Sequence, residues 1–183
     1  MPKKRARRAA APRSWLGTEW LLSIDPGEAF GAALLKRGEL VTVFTADHSL
    51  ANVSGIVSGA LERCDSDLGL VVEQQFLGRG AKFNPKTTES LMKRRHTWEL
   101  VAELRKVAWD RVAPASWQAI LKAVPRDPSV KGRQTKVRSM TLACRRWPHL
   151  AGHFQSRGAD VADAALMGLW YSNQQLREHP RLI

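Results

Sequence analysis

Three short apolar runs, WLLSI at 20–24, FGAALL at 30–35 and LVTVF at 40–44, are cut apart by Pro26-Gly27 and by Arg37-Gly38. Both pairs are strong turn signals, and β-prone runs joined this tightly pair with their sequence neighbours. This part of the chain therefore reads as an antiparallel three-stranded meander. Ser49 to Cys64 follows with Leu50, Val53, Ile56, Val57, Ala60 and Leu61 at helical spacing, despite Gly55 and Gly59, and the apolar run LGLVVE comes directly after it. A helix leading back into a strand predicts a parallel addition to the same sheet.

Beyond that strand, Gly78 to Pro85 reads as an exposed basic loop carrying Arg79 and Lys82. Thr88 to Trp109 holds Leu91, Trp98, Val101, Leu104, Val107 and Ala108 at 3.6-type spacing, with Lys93, Arg94 and Arg95 near its start, and predicts the longest helix. A brief strand at 110–113, a short helix at 115–122, a basic loop at 125–132 and a helix at 133–146 come next. The last expected element spans 157–171, a largely apolar helix that also carries two acids. Strands, helix, strand, long helix, strand and further helices make an α/β order: a mixed sheet flanked by helices.

At 183 residues, 44% of them apolar, the chain is long enough for one core, and one domain is the expectation. No stretch approaches the roughly 18 consecutive apolar residues of a membrane span, and the basic N-terminus has no apolar signal core behind it. The expectation is a soluble intracellular protein with no membrane partner. Cys64 and Cys144 are too few and too far apart for a disulfide framework or a zinc spacing, and read as reduced thiols. A net charge of +12 and a pI near 10.5 make a polyanion, nucleic acid above all, the natural partner. Six of those charges, at Lys3, Lys4, Arg5, Arg7, Arg8 and Arg13, fall on an N-terminal arm of Ala and Pro that has little to pack. Such an arm can grip phosphates, act as a nuclear or organelle address, or solubilise. The expected division is a basic arm at 1–16, a folded domain at 17–172 and a tail at 173–183.

Asp25 stands where the first strand stops, before Pro26 and Gly27, and Glu73 ends LGLVV in the same way. If those strands are neighbours, their acids meet near the sheet's mid-length or edge, where oxygen ligands can hold a hard cation. Asp160 and Asp163 are three apart, so a helix places both on one face. Singly, an Asp before Pro-Gly is a common turn former, and acids in a helix's first turn favour its dipole. Together, four acids suit two divalent ions, because Mg2+ prefers a few carboxylates plus water and phosphate oxygens. Paired ions can activate water and steady the leaving oxygen at a phosphodiester.

SIDPG at 23–27, VVEQQF at 71–76 and GADVADAAL at 158–166 resemble, in order, the three signature segments of RuvC-type Holliday-junction resolvases. The resemblance runs from about Trp20 to Tyr171 and implies an RNase H-like fold, a mixed five-stranded sheet of an antiparallel meander plus parallel strands, flanked by helices. It implies that Asp25, Glu73, Asp160 and Asp163 bind Mg2+ or Mn2+, two ions per active site. Phe76, three residues after Glu73, resembles the family aromatic that stacks on an unpaired base, although a core phenylalanine would look the same in sequence. The segment from Trp117 to Pro148 looks most like phage and organellar members, and the family's basic catalytic helper falls nearest Lys131 or Lys136, with Arg126, Arg133 and Arg138 competing.

The implied activity is that of a crossover junction endodeoxyribonuclease: a homodimer cutting four-way DNA junctions symmetrically and leaving 5'-phosphate and 3'-hydroxyl ends. Expected DNA contacts are Phe76, Arg79, Lys82, Lys93, Arg94, Arg95, Lys131, Arg133 and Lys136. Trp98, Val101 and Leu104 read either as core or as part of the dimer contact. The alternatives are a broader RNase H-like debranching nuclease acting on flaps and forks, and a junction-binding protein without cleavage. The implied compartment is the cytoplasm or nucleoid of a bacterial or phage-infected cell, with an organelle or nucleus left open by the arm.

Overall fold

A computed structural model describes residues 16–27, 30–65, 67–74, 85–130, 132 and 134–178. The meander is present as β1 (Trp20–Asp25), β2 (Phe30–Lys36) and β3 (Glu39–Ala46), with β2 antiparallel to both neighbours. Arg37 and Gly38 close the β2–β3 hairpin with φ of 49° and 83°, the paired positive values of a two-residue turn that matches strand twist. Helix α1 (Leu50–Arg63) begins where the Ser49 side chain accepts the Asn52 amide, and it buries Val53, Val57 and Ala60. It delivers β4 (Leu68–Glu73) parallel to β1, and helix α2 (Pro85–Leu104) then delivers β5 (Ala108–Val112) parallel to β4. The five-stranded sheet has the order β3-β2-β1-β4-β5, the mixed architecture expected from the sequence.

The long helix starts earlier than its periodicity suggested and ends at Leu104. The run from Ala108 to Trp109 continues the apolar pattern but belongs to β5, because a turn with Lys106 at φ 57° intervenes. After β5 come a one-turn helix α3 (Pro114–Trp117), a 3-10 segment (Gln118–Ala123) and α4 (Gln134–Arg146). The expected acid-bearing helix is α6 (Ala159–Glu178), and before it, across Gly158 with φ 92°, lies a short helix that the sequence reading did not anticipate, α5 (Ala151–Arg157). α6 continues past position 172 to its end at Glu178. No helix among the described residues is long and apolar enough to cross a membrane.

Strand alternation divides the interior into two cores. Leu22, Ile24, Phe30, Ala32, Leu34, Leu70 and Val72 point to one face and pack with α1 and with Trp98, Val101 and Ala102 of α2. Leu21, Ala33, Leu35, Val71 and Val112 point to the other, beneath α4, α5 and α6. By the same alternation Asp25 and Glu73 belong to the α6 face. Two glycines let α6 lie close to the sheet: a Cβ on Gly31 would collide with the Asp160 backbone, and one on Gly168 would meet Ser23 and Leu35 side chains. Gly31 is also the cross-strand partner of Asp25, so this close approach brings the start of α6 beside the end of β1.

Candidate active site

Asp25, Asp160 and Asp163 converge, each offering a carboxylate oxygen within 4.8 Å of the others. Asp25 is 6% exposed and Asp163 4% exposed. The Lys136 ammonium, carried by α4, lies among them at 2.6 Å from Asp160 Oδ1, 2.6 Å from Asp163 Oδ2 and 3.4 Å from Asp25 Oδ2. Glu73 stands beside this trio rather than in it. Its charge acts on Asp25, and the Trp117 indole N–H donates to its Oε1 at 2.8 Å.

Burial sets the acid–base character of the group. It pushes Asp25 well above the usual carboxylate range, with the charges of Glu73, Asp163 and Asp160 acting the same way against Lys136. Burial likewise lifts Glu73 to about 7, although the Trp117 hydrogen bond opposes it. Asp163 is raised as well, its burial only partly countered by Lys136. Lys136 is itself partly desolvated, which disfavours its charge, yet the surrounding carboxylates hold it well above the ordinary lysine value.

This donor set fits a divalent cation. It consists of hard carboxylate oxygens from three acids within 4.8 Å of one another, and it already gathers around one positive group. One ammonium facing four acids leaves negative charge for which a cation is the natural complement. The α6 N-terminus adds its dipole at Asp160, which lies in the helix's first turn.

The other expected site residues separate. Lys93 is exposed and paired with Glu89 at 2.7 Å. Arg94 turns inward and donates from Nη1 to the Gly27 carbonyl at 3.0 Å. Arg95, 8% exposed, faces Glu99 with Nε 3.0 Å from Oε1, and Arg111 of β5 closes on the same carboxylate with bonds of 2.7 and 2.9 Å. In this structure Arg95 is thus a buried partner of Glu99 and not a surface cation. Trp98 and Val101 are core, while Leu104 is 68% exposed. Phe76, Arg79, Lys82, Lys131 and Arg133 lie outside the described residues, as does the arm at 1–15.

Sequence reasoning passed over Gly31, Trp117 as the partner of Glu73, and the bonds that converge on Gly27. A glycine inside the apolar run FGAALL was the available signal for Gly31, since glycine within a strand marks close backbone approach. Nothing local announces the other two, which depend on contacts across 21 to 67 residues of sequence.

The mixed five-stranded sheet flanked by helices, with acids at two strand ends and one helix start, is an RNase H-like fold. Within that class, the chain has the fold of the RuvC-type resolvases. It superimposes on T. thermophilus RuvC in complex with Holliday junction substrate with a TM-score of 0.55 at 15% identity, over 87% of this chain and 94% of that one. T. thermophilus RuvC in a second structure gives 0.52 at 14%, over 88% and 96%. The yeast mitochondrial Holliday junction resolvase Ydc2 gives 0.53 at 14%, over 93% and 85%. No family model matches the sequence, and no curated protein does.

Proposed function

We propose that this protein is a structure-selective endonuclease that resolves four-way DNA junctions by metal-dependent phosphodiester hydrolysis. The observation that carries this reading is the convergence of Asp25, Asp160 and Asp163, from two elements far apart in sequence, with Glu73 beside them. That cluster sits in a chain of net charge +12, so an anionic pocket is embedded in a surface that attracts polyanions. The shared fold with resolvases, one of them solved with a Holliday junction, supports branched DNA as the substrate.

In this reading Asp25, Glu73, Asp160 and Asp163 hold Mg2+ or Mn2+, two ions to a site. Bound there, such ions would lower the pKa of a water nucleophile and stabilise the leaving oxygen. Trp117 keeps Glu73 aimed at the group, and Lys136 neutralises carboxylates that would otherwise repel one another. Lys136 is also the basic residue assigned to the scissile phosphate, since its ammonium already lies at the acids. Lys93, Arg79, Lys82, Lys131 and Arg133 are assigned to DNA backbone contact, and Phe76 to stacking on an unpaired base. The dimer contact is assigned to α2, where Leu100 and Leu104 are 52% and 68% exposed one turn apart. Two active sites across a twofold axis would then cut opposing strands.

The test is incubation of the full chain with a synthetic four-way junction, a flap and a linear duplex, with Mg2+, Mn2+ or EDTA. Paired nicks confined to the junction and abolished by EDTA are expected. Equal cutting of all three substrates would replace the resolvase reading with a general debranching nuclease, and tight junction binding with no cutting in either metal would leave a binding protein.

A further inference from the structure

The Gly27 carbonyl receives two side-chain bonds from separate parts of the fold. His48, between β3 and α1, approaches it with Nε2 at 2.8 Å, and Arg94 of α2 donates from Nη1 at 3.0 Å. Burial lowers the His48 pKa and favours the neutral ring, opposed by the Gly27 hydrogen bond and aided by the charge of Arg94. With Nε2–H donating to Gly27, the other nitrogen is a bare lone pair, in keeping with a buried Nδ1 that has no partner. Phe30 meets this ring edge-on at 5.1 Å and stacks in the same manner on Trp98 at 4.9 Å, which fixes the ring's position from behind.

Gly27 is itself pressed against the acids. It lies two residues after Asp25, and a Cβ built on it would stand 2.6 Å from Asp160 Oδ2. Wherever this turn is held, the Asp160 carboxylate is held relative to Asp25. Arg94 is a partly buried cation spent on a neutral carbonyl, although acidic groups lie just beyond the turn, and among the described residues no ion pair is formed by it.

We propose that Arg94 and His48 are positioning residues for the metal-binding acids, fixing the Asp25-Pro26-Gly27 turn against Asp160 and so setting the spacing at which the carboxylates accept a cation. The inference rests on the metal-nuclease reading. It assigns Arg94 to the acids' geometry, where the sequence suggested a phosphate contact. Groups that orient metal ligands from outside typically matter by roughly 10- to 100-fold in affinity or activity.

The test measures Mn2+ affinity of the full chain by electron paramagnetic resonance, with thermal melting and junction cleavage on the same samples. Arg94→Ala and His48→Ala should each weaken Mn2+ binding roughly 10-fold. Cleavage by either should return toward the wild-type rate as Mn2+ is raised, so that the apparent metal requirement changes and the saturated rate changes little. Arg94→Lys and His48→Gln, which keep a donor, should retain most of the affinity. If Arg94→Ala melts early, Arg94→Met keeps the packed stem and tests the same bond. Wild-type Mn2+ affinity in the Arg94 and His48 variants, with junction binding weakened, would overturn the proposal and make Arg94 a DNA contact. Loss of Mn2+ binding in Asp25→Asn separates that result from failure of the underlying reading, in which the wild-type chain itself would bind no Mn2+.

Discussion

On the α2 face of the sheet one carboxylate, Glu99, is enclosed by the guanidiniums of Arg95 and Arg111. On the α6 face Asp25, Glu73, Asp160 and Asp163 gather about the ammonium of Lys136, the one cation among them in the described residues. Both clusters remove charge from water at considerable cost. The first meets that cost mainly through Arg111, from which Glu99 accepts through both oxygens, with the Arg95 charge 3.0 Å away although its Nε makes no hydrogen bond. The second differs in charge: among the described residues its acids outnumber their cation. An acid enclosed by cations of its own chain ties elements together, here α2 to β5. An under-compensated one at strand ends is arranged for something that arrives from solution.

The sharpest way to break this contrast is to remove one acid from each side. Asp25→Asn should abolish cleavage, by at least about 10^3-fold, because a cation ligand is lost where charge develops. The metal-free protein should melt no earlier than wild type, since an amide replaces a carboxyl that burial already disfavours as an anion. Cleavage assays and melting in EDTA check both halves, and a large loss of stability would mean that the acids are structural after all. Glu99→Ala should do the reverse. It strands two guanidiniums, one of them buried, at a cost of about 3–5 kcal/mol. The melting temperature should fall by roughly 8–15 °C while Mn2+ affinity of the folded protein is unchanged.

The two clusters were not equally legible in the sequence. Asp25 and Glu73 could be found because each terminates an apolar run, and strand alternation then puts both on one face. Asp160 and Asp163 interrupt an apolar helix at a spacing that needs no tertiary information. The Lys93-Arg94-Arg95 cluster, in contrast, looks like one basic patch, yet a helix turns about 100° per residue. The three side chains accordingly go to solvent, to Gly27 and to Glu99. Which of them goes where depends on what packs against α2. The same holds for the end of α2, where apolar periodicity runs unbroken into β5 and only the turn at Lys106 separates helix from strand.

Gly31 joins the fold to the acidic side of the comparison. Gly31→Ala places a methyl where the Asp160 backbone lies, so either α6 shifts or β2 does. Overpacking of this kind costs about 1–3 kcal/mol. A displaced α6 also carries Asp160 and Asp163 away from Asp25, so Mn2+ affinity should fall along with a melting-temperature drop of roughly 3–8 °C. An unchanged metal affinity beside that drop would show that the carboxylates do not depend on the glycine contact.

The smallest expected effect is a pH dependence confined to the acidic cluster, and its sign follows from the direction of the shifts. Glu73 rises from an ordinary 4.5 to about 7 through burial, and Asp25 and Asp163 move the same way. A carboxyl raised in the folded state favours the folded state when protonated. Its contribution is complete below the unfolded value of 4.5 and is lost as pH rises through about 7. The metal-free protein should therefore melt roughly 2–6 °C lower at pH 8 than at pH 5. Mg2+ or Mn2+ should restore the loss at pH 8 and do little at pH 5, where protons compete for the same oxygens. Glu73→Gln should flatten the slope without erasing it, because Asp25 and Asp163 still titrate. A slope of opposite sign in EDTA would mean that Lys136 fully compensates the acids, and the distinction between the two clusters would then disappear.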